Sequence, residues 1–106
     1  MQKQSVIRMW ITNKNNRKIT EEMSAAMVDF LSIAIEHGCI GSTFAEDDDR
    51  IIVFTRWSDE MILDAFRSSE DYKMKEVKII QAFVNAGFEI PNDILFNSTA
   101  GILFTN

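Results

Sequence analysis

A single α+β domain in the order β-α-β-β-α(α)-β is the fold class this sequence predicts, and three observations predict it. The first is length: 106 residues suffice for one core, burying about 65% of the unfolded surface, and not for two. The second is composition, 46% hydrophobic and 25% charged, close to globular averages and far from disordered chains. The third is patterning. Strand-like apolar runs alternate with stripes of helical period, each separated by turn residues. Residues 1–106 therefore read as one domain without repeat, linker or low-complexity stretch.

Val6-Ile7-Arg8-Met9-Trp10-Ile11-Thr12 is rich in β-favouring residues and predicts the first strand. A polar loop, Asn13 to Lys18, leads to Thr20, an N-cap hydroxyl followed by Glu21 and Glu22, where the helix dipole favours negative charge. Met23, Met27, Phe30, Leu31, Ala34 and Ile35 then recur at three and four and mark the helix's apolar stripe, which His37 and Gly38 end. Cys39 to Ala45 predicts a strand, Glu46-Asp47-Asp48-Asp49 a turn and Arg50 to Trp57 a further strand, the pair forming a hairpin. Ser58 offers an N-cap for a short helix with Met61, Ile62, Ala65 and Phe66 on one face. Ser68-Ser69-Glu70-Asp71 breaks it and starts a longer helix through Met74, Val77, Ile80, Phe83 and Val84 to Gly87. Pro91-Asn92 is a turn, and Asp93 to Thr105 is a final extended segment.

This order predicts a ferredoxin-like split βαβ arrangement: four antiparallel strands with the helices on one face. A sheet of this kind with one wet face alternates polar and apolar residues. These strands do not. Ile51, Ile52, Val53 and Phe54 are continuous, and the first strand puts Ile7, Met9 and Ile11 on one face, with Val6 and Trp10 on the other. Helices cover one face only. At roughly 25 cal/mol per Å², leaving several such side chains in water costs several kcal/mol. A second copy, sheet against sheet, is the simplest cover, so a homodimer is expected.

Composition also narrows function. The net charge is −5 and no Lys or Arg cluster stands out, so a nucleic-acid partner is not expected. No apolar run approaches the roughly 20 residues of a membrane span, and no secretory signal is read in Met1 to Arg8, so the expected setting is the cytoplasm. A lone Cys39 forms no internal disulfide and suits a reducing compartment. One His, one Cys and no Gly-rich phosphate cradle leave too few ligands for tight zinc, haem or flavin, so no cofactor is expected. The acidic run at Glu46–Asp49 lacks the alternation and Gly of a calcium loop and reads as a solvated hairpin tip.

The segment from Gly38 to Tyr72 resembles the antibiotic-biosynthesis-monooxygenase-like family. The matching features are Gly38-Cys39-Ile40-Gly41 after the first helix and a hairpin ending in Trp57. Ser58-Asp59-Glu60 opening a short helix follows, then Phe66 and Ser68-Ser69 before the next helix. Element order and length agree over the whole chain. The resemblance implies a dimeric α/β barrel and a range of activities: cofactor-independent oxygenation of quinols and anthrones, haem degradation, isomerisation. Two departures bear on these. Many members carry a His where this chain has Phe66. The haem-degrading members carry an Asn on the first strand, a Trp in the second helix and a ligating His in the third; here the first strand has no Asn before Asn13, and Phe66 and Glu76 stand near the other two positions. Haem degradation is disfavoured.

The activity implied is a cofactor-independent monooxygenase acting with O₂ on a small aromatic or quinol-like substrate. The alternative is a non-catalytic dimeric module of the same fold, binding a small aromatic ligand or a partner. Such an oxygenase needs a dry aromatic pocket and a donor for a developing oxyanion. Arg8 and Trp10 share a strand face: Arg8 is a candidate oxyanion holder and Trp10 a stacking surface, or Trp10 is core and Arg8 snorkels. Phe66 is either core or pocket wall. Tyr72, slightly off the Met74–Val77–Ile80 stripe, is either a pocket hydroxyl or a surface cap. Asn97 in the final strand is either a second pocket donor or an edge residue. Trp57 reads as a packing anchor with its indole N–H on a carbonyl. His37 and Cys39 lack an orienting third residue for nucleophilic chemistry and read as a helix terminator and a small buried hydrophobe.

Overall fold

A computed structural model describes the backbone of residues 2–89 and 94–104 and the side chains of residues 5–89. The elements are β1 (Gln2–Asn13), α1 (Glu21–Glu36), β2 (Gly41–Glu46), β3 (Arg50–Trp57), α2 (Glu60–Arg67), α3 (Glu70–Asn85) and β4 (Ile94–Phe104). The strands form one antiparallel sheet in the order β2-β3-β1-β4. With β3 lying between β1 and β2, this is the split βαβ arrangement that the element order predicts.

Local chemistry fixes the helix ends. The Thr20 hydroxyl accepts from the Met23 N–H at 3.2 Å and caps α1. Its other end closes on His37 and on Gly38, whose φ of +105° is left-handed backbone that suits glycine. The Cys39 N–H is spent on the Ala34 carbonyl at 3.0 Å, so β2 begins two residues later than its apolar pattern suggests. For α2 the cap is Asp59, not Ser58: the Asp59 carboxylate accepts from the Ile62 N–H at 2.9 Å, adding a negative charge at the dipole's positive end. Ser69 caps α3 through the Tyr72 N–H at 3.1 Å.

One continuous core lies between the helices and one face of the sheet. It takes Met23, Met27, Phe30 and Ala34 from α1, Ile51, Val53 and Trp57 from β3, and Trp10 from β1. Two helical stripes differ from expectation. In α2 the inward residues are Leu63 and Phe66, while Met61 is 82% exposed. In α3 the expected stripe faces water except at Phe83: Met74, Val77, Ile80 and Val84 are exposed, and the helix buries Tyr72, Ile79 and Ala82 beside Phe83. Of the stripe expected for α1, only Ile35 is exposed.

Across the sheet, Arg8, Trp10 and Thr12 of β1 and Ile51, Val53, Thr55 and Trp57 of β3 point to the helices and are buried. Ile7, Met9, Ile11, Ile52 and Phe54 occupy the opposite face, half-buried and outside the core. Among the described residues, no helix is long and apolar enough to cross a membrane.

Candidate functional site

The site grows from the alternation of β1. With successive side chains on opposite faces, placing Trp10 in the core also places Arg8 under the helices. Arg8 is only 9% exposed. Burying a guanidinium is costly unless it is hydrogen-bonded, and its Nη2 donates to the Tyr72 hydroxyl at 3.2 Å. The guanidinium carbon also lies 5.9 Å from the centroid of the Tyr72 ring. Tyr72 reaches it because α3 turns its Tyr72–Ile79–Phe83 face inward.

Aromatic rings surround this pair. Phe30 stands 5.2 Å from Trp10, 5.7 Å from Phe66 and 5.8 Å from Tyr72, centroid to centroid. Phe66 meets Tyr72 edge-on at 5.2 Å and stacks on Trp57 at 5.1 Å. The Trp57 indole N–H donates to the Thr55 hydroxyl at 2.9 Å, where a carbonyl was the expected acceptor; a threonine two residues earlier on a strand shares its face. Between these groups lies a cavity of about 10 Å³ bounded by Arg8, Trp10, Thr55, Phe66 and Tyr72 among others. That is room for about one water and not for a ring.

The electrostatics follow from burial. Desolvation pulls the Arg8 guanidinium below its ordinary value; Tyr72 and Glu76 oppose this and Arg67 adds to it. Desolvation also raises the Tyr72 phenol, as does a hydrogen bond to the Glu76 side chain, while Arg8 acts to lower it. Tyr72 is thus held as a neutral O–H. Arg8 and Tyr72 form a buried polar pair, and the half-buried Glu76 stands one turn further along α3.

Four residues singled out in the sequence, Arg8, Trp10, Phe66 and Tyr72, line this one cavity. In the backbone register of β4, Asn97 pairs with Met9 and Ser98 with Arg8. The Asn97 side chain lies outside the described residues. Sequence reasoning passed over Phe30 and Thr55 as lining residues and Glu76 as a partner of Tyr72. Only the i, i+4 spacing of Tyr72 and Glu76 signals the last of these. His37 lies outside the cavity, with Nε2 3.0 Å from Asp71 Oδ2, and the Cys39 thiol donates to the Gly41 carbonyl at 3.0 Å. Among the described residues, no group of three or more His, Cys, Asp or Glu side chains is placed to hold a metal ion.

Compared by sequence, the chain matches no protein-family model and no curated protein. Compared by structure, it is similar to SnoaB, a cofactor-independent oxygenase from Streptomyces nogalater, with a TM-score of 0.61 and 9% identity over 98% of this chain and 94% of that one. A dimeric ferredoxin-like protein of unknown function from Jannaschia sp. superposes with a TM-score of 0.66 and 11% identity, over 89% of this chain and 97% of that one. A candidate antibiotic biosynthesis monooxygenase from Caulobacter crescentus gives 0.60 and 9%, over 96% and 89%. At such identities the likeness is one of architecture: this chain has the ferredoxin-like fold shared by a cofactor-independent oxygenase and by proteins resembling the antibiotic biosynthesis monooxygenases.

Proposed function

We propose that this protein is a cofactor-independent monooxygenase that acts with O₂ on a small aromatic or quinol-like substrate, in the cytoplasm and as a homodimer. The observation that carries the reading is the buried Arg8, hydrogen-bonded to Tyr72 inside a box of aromatic rings. A core needs no arginine, and an apolar side chain of similar volume is often as stable or more so. A cation in a dry aromatic pocket is, by contrast, what a developing enolate or phenolate needs.

For an anthrone-like substrate the steps balance without a further reactant. The methylene between two rings loses a proton and leaves an enolate, held by Arg8. The enolate gives one electron to O₂, and the carbon radical and superoxide combine into a peroxide anion. That anion takes up a proton, and loss of water from the hydroperoxide leaves a carbonyl. The sum is substrate plus O₂ to quinone plus water. Phe30, Phe66 and Trp10 keep solvent from the enolate. An anthrone requires ring-sized space that the present cavity does not offer, and α2, the shortest helix, packed through Leu63 and Phe66, is where it would have to open. The open face, with Ile7, Met9, Ile11, Ile52 and Phe54, is the surface for a second copy. Asn97 belongs to this proposal as a further polar candidate from β4, beside Arg8 as catalytic group and Trp10, Phe66 and Tyr72 as binding groups.

The single-water cavity favours a second reading, the non-catalytic dimeric module. Oxygen uptake decides between them. With an anthrone present, an oxygen electrode should show protein-dependent consumption that falls by about tenfold or more in Arg8→Ala, matching loss of a charge-assisted hydrogen bond. Saturable quenching of tryptophan fluorescence by the same compound, with no oxygen consumed, selects the module. A monodisperse folded species of 12.2 kDa in light scattering overturns the dimer.

A further inference from the structure

We infer, resting on the reading of this cavity as a ligand site, that Thr55 is a further ligand-binding residue. Together with Arg8 it receives the oxygen atom of an aromatic alcohol. The site thus takes rings that carry a hydroxyl or its anion and ranks the matching hydrocarbons well below them.

Donor and acceptor chemistry fixes the role of the Thr55 hydroxyl. An indole N–H can only donate, so Thr55 Oγ1 is the acceptor in its 2.9 Å bond with Trp57 Nε1. The hydroxyl's own proton is left to give. Among the described residues, the bond from Trp57 is the one hydrogen bond that the Thr55 side chain makes. Thr55 is also buried, and a buried donor is costly unless an acceptor meets it.

Strand register brings this donor beside the cation. Thr55 on β3 is the cross-strand partner of Arg8 on β1, and both face the helices, so their Cβ atoms stand about 5 Å apart. Both line the cavity of about 10 Å³, whose other walls are mainly aromatic. Size then assigns the occupant. A space for one water takes one oxygen atom and no ring, so the ligand's oxygen belongs between the hydroxyl and the guanidinium. Its ring belongs in the space that the proposed activity requires beside α2. A methyl group in place of the oxygen would fill the same space and offer Thr55 and Arg8 nothing to bond. A site built around a ligand hydroxyl rejects the analogue that lacks it far more strongly than an apolar site does.

Phenol and toluene, one ring with a hydroxyl or a methyl group, test it when titrated at neutral pH into the isotopically labelled full chain and followed by NMR. Wild type should bind phenol about tenfold or more tighter than toluene. Phenol alone should move the Trp57 indole N–H resonance, because a bond donated by Thr55 strengthens the one it accepts. Thr55→Val keeps the shape and removes the hydroxyl; it should weaken phenol binding about three- to tenfold and leave toluene within about twofold of wild type. Thr55→Ser, which restores the hydroxyl, should keep the preference. If Thr55→Val does not fold, the wild-type preference and the indole signal decide. Equal affinity for both compounds in wild type, an indole resonance unmoved by bound phenol, or equal weakening of both in Thr55→Val overturns the role of Thr55 and leaves the ring site standing. Failure of wild type to bind either compound overturns the ligand-site reading itself.

Discussion

Helices α1 and α3 are built to one plan and use their apolar residues in opposite ways. Each runs 16 residues, starts from a hydroxyl cap and carries two acidic residues in its first turn. In α1 the apolar stripe is the core face. In α3 the more regular apolar stripe is solvent-facing, with Met74 59%, Val77 62% and Val84 53% exposed, while Tyr72 and Glu76 lie toward the sheet. Position decides this. From α1, Phe30 meets Trp10 and Tyr72 with an aromatic ring; from α3, Tyr72 brings the hydroxyl that accepts from Arg8. Local pattern and global fold conflict in α3, and such conflicts concentrate at functional sites.

The comparison breaks or sharpens under substitution. The largest effect belongs to Phe30→Ala, which empties a position touching Trp10, Phe66 and Tyr72. It should cost about 3–5 kcal/mol in urea unfolding; a loss below 1 kcal/mol would mean that α1 is not the core helix. Within α3, Ile79→Ala should cost about 2–5 kcal/mol, whereas Val77→Ala, two residues away, should stay within about 0.5 kcal/mol. Equal losses would show that the outer stripe of α3 is covered in solution.

Tyr72→Phe comes next, at about 1–3 kcal/mol, since it leaves Arg8 without its hydroxyl acceptor. It also carries a pH signature. Burial, then Glu76, holds the Tyr72 phenol above its ordinary value, so the folded state keeps this proton more tightly than the unfolded chain. That contribution is complete below about pH 10 and is lost as pH rises through the raised value. Wild type should therefore lose stability with rising pH more steeply than Tyr72→Phe; parallel alkaline slopes contradict the buried assignment. The smallest effect lies on neither helix. Hydrogen bonds from the Arg50 side chain and from the Asp49 and Arg50 backbone hold the Asp47 carboxyl below its usual range at the hairpin tip. Its contribution is present above the unfolded value and disappears as pH falls through the folded one. Asp47→Asn should flatten the acid limb of the stability curve slightly, and an unchanged limb would show that the tip holds no ordered carboxylate.

Element order was legible because junctions among the described residues carry local chemistry: Thr20 and Ser69 at helix starts, Asp59 next to the expected cap Ser58, Gly38 at an end, Asp47 in the hairpin. The pairing of Arg8 with Trp10 on one face followed from strand alternation, and Phe66 followed from its place in α2. What periodicity misses is rotation. Met74, Val77, Ile80 and Val84 form the more regular stripe, yet α3 buries Ile79, Ala82 and Phe83 and brings Tyr72 to the buried Arg8. Tyr72 stood out in the sequence by lying off that stripe, but choosing its pocket role over a surface cap needs the rotation of α3, which periodicity does not supply.

Gly38 acts on the site from outside it. A Cβ built there would stand 2.9 Å from Ile62 Cγ2, so α2 rests against backbone that has no side chain to push it away. Gly38 is therefore a spacer of zero thickness beneath the roof of the cavity, and site volume becomes a quantity tuned from a loop. Gly38→Ala would trade about 1–2 kcal/mol of left-handed strain for a lifted α2 and a roomier chamber. Xenon uptake by the variant, absent in wild type, would measure the gained space. A change of one methyl group outside the chamber would then alter its volume without touching any residue that lines it.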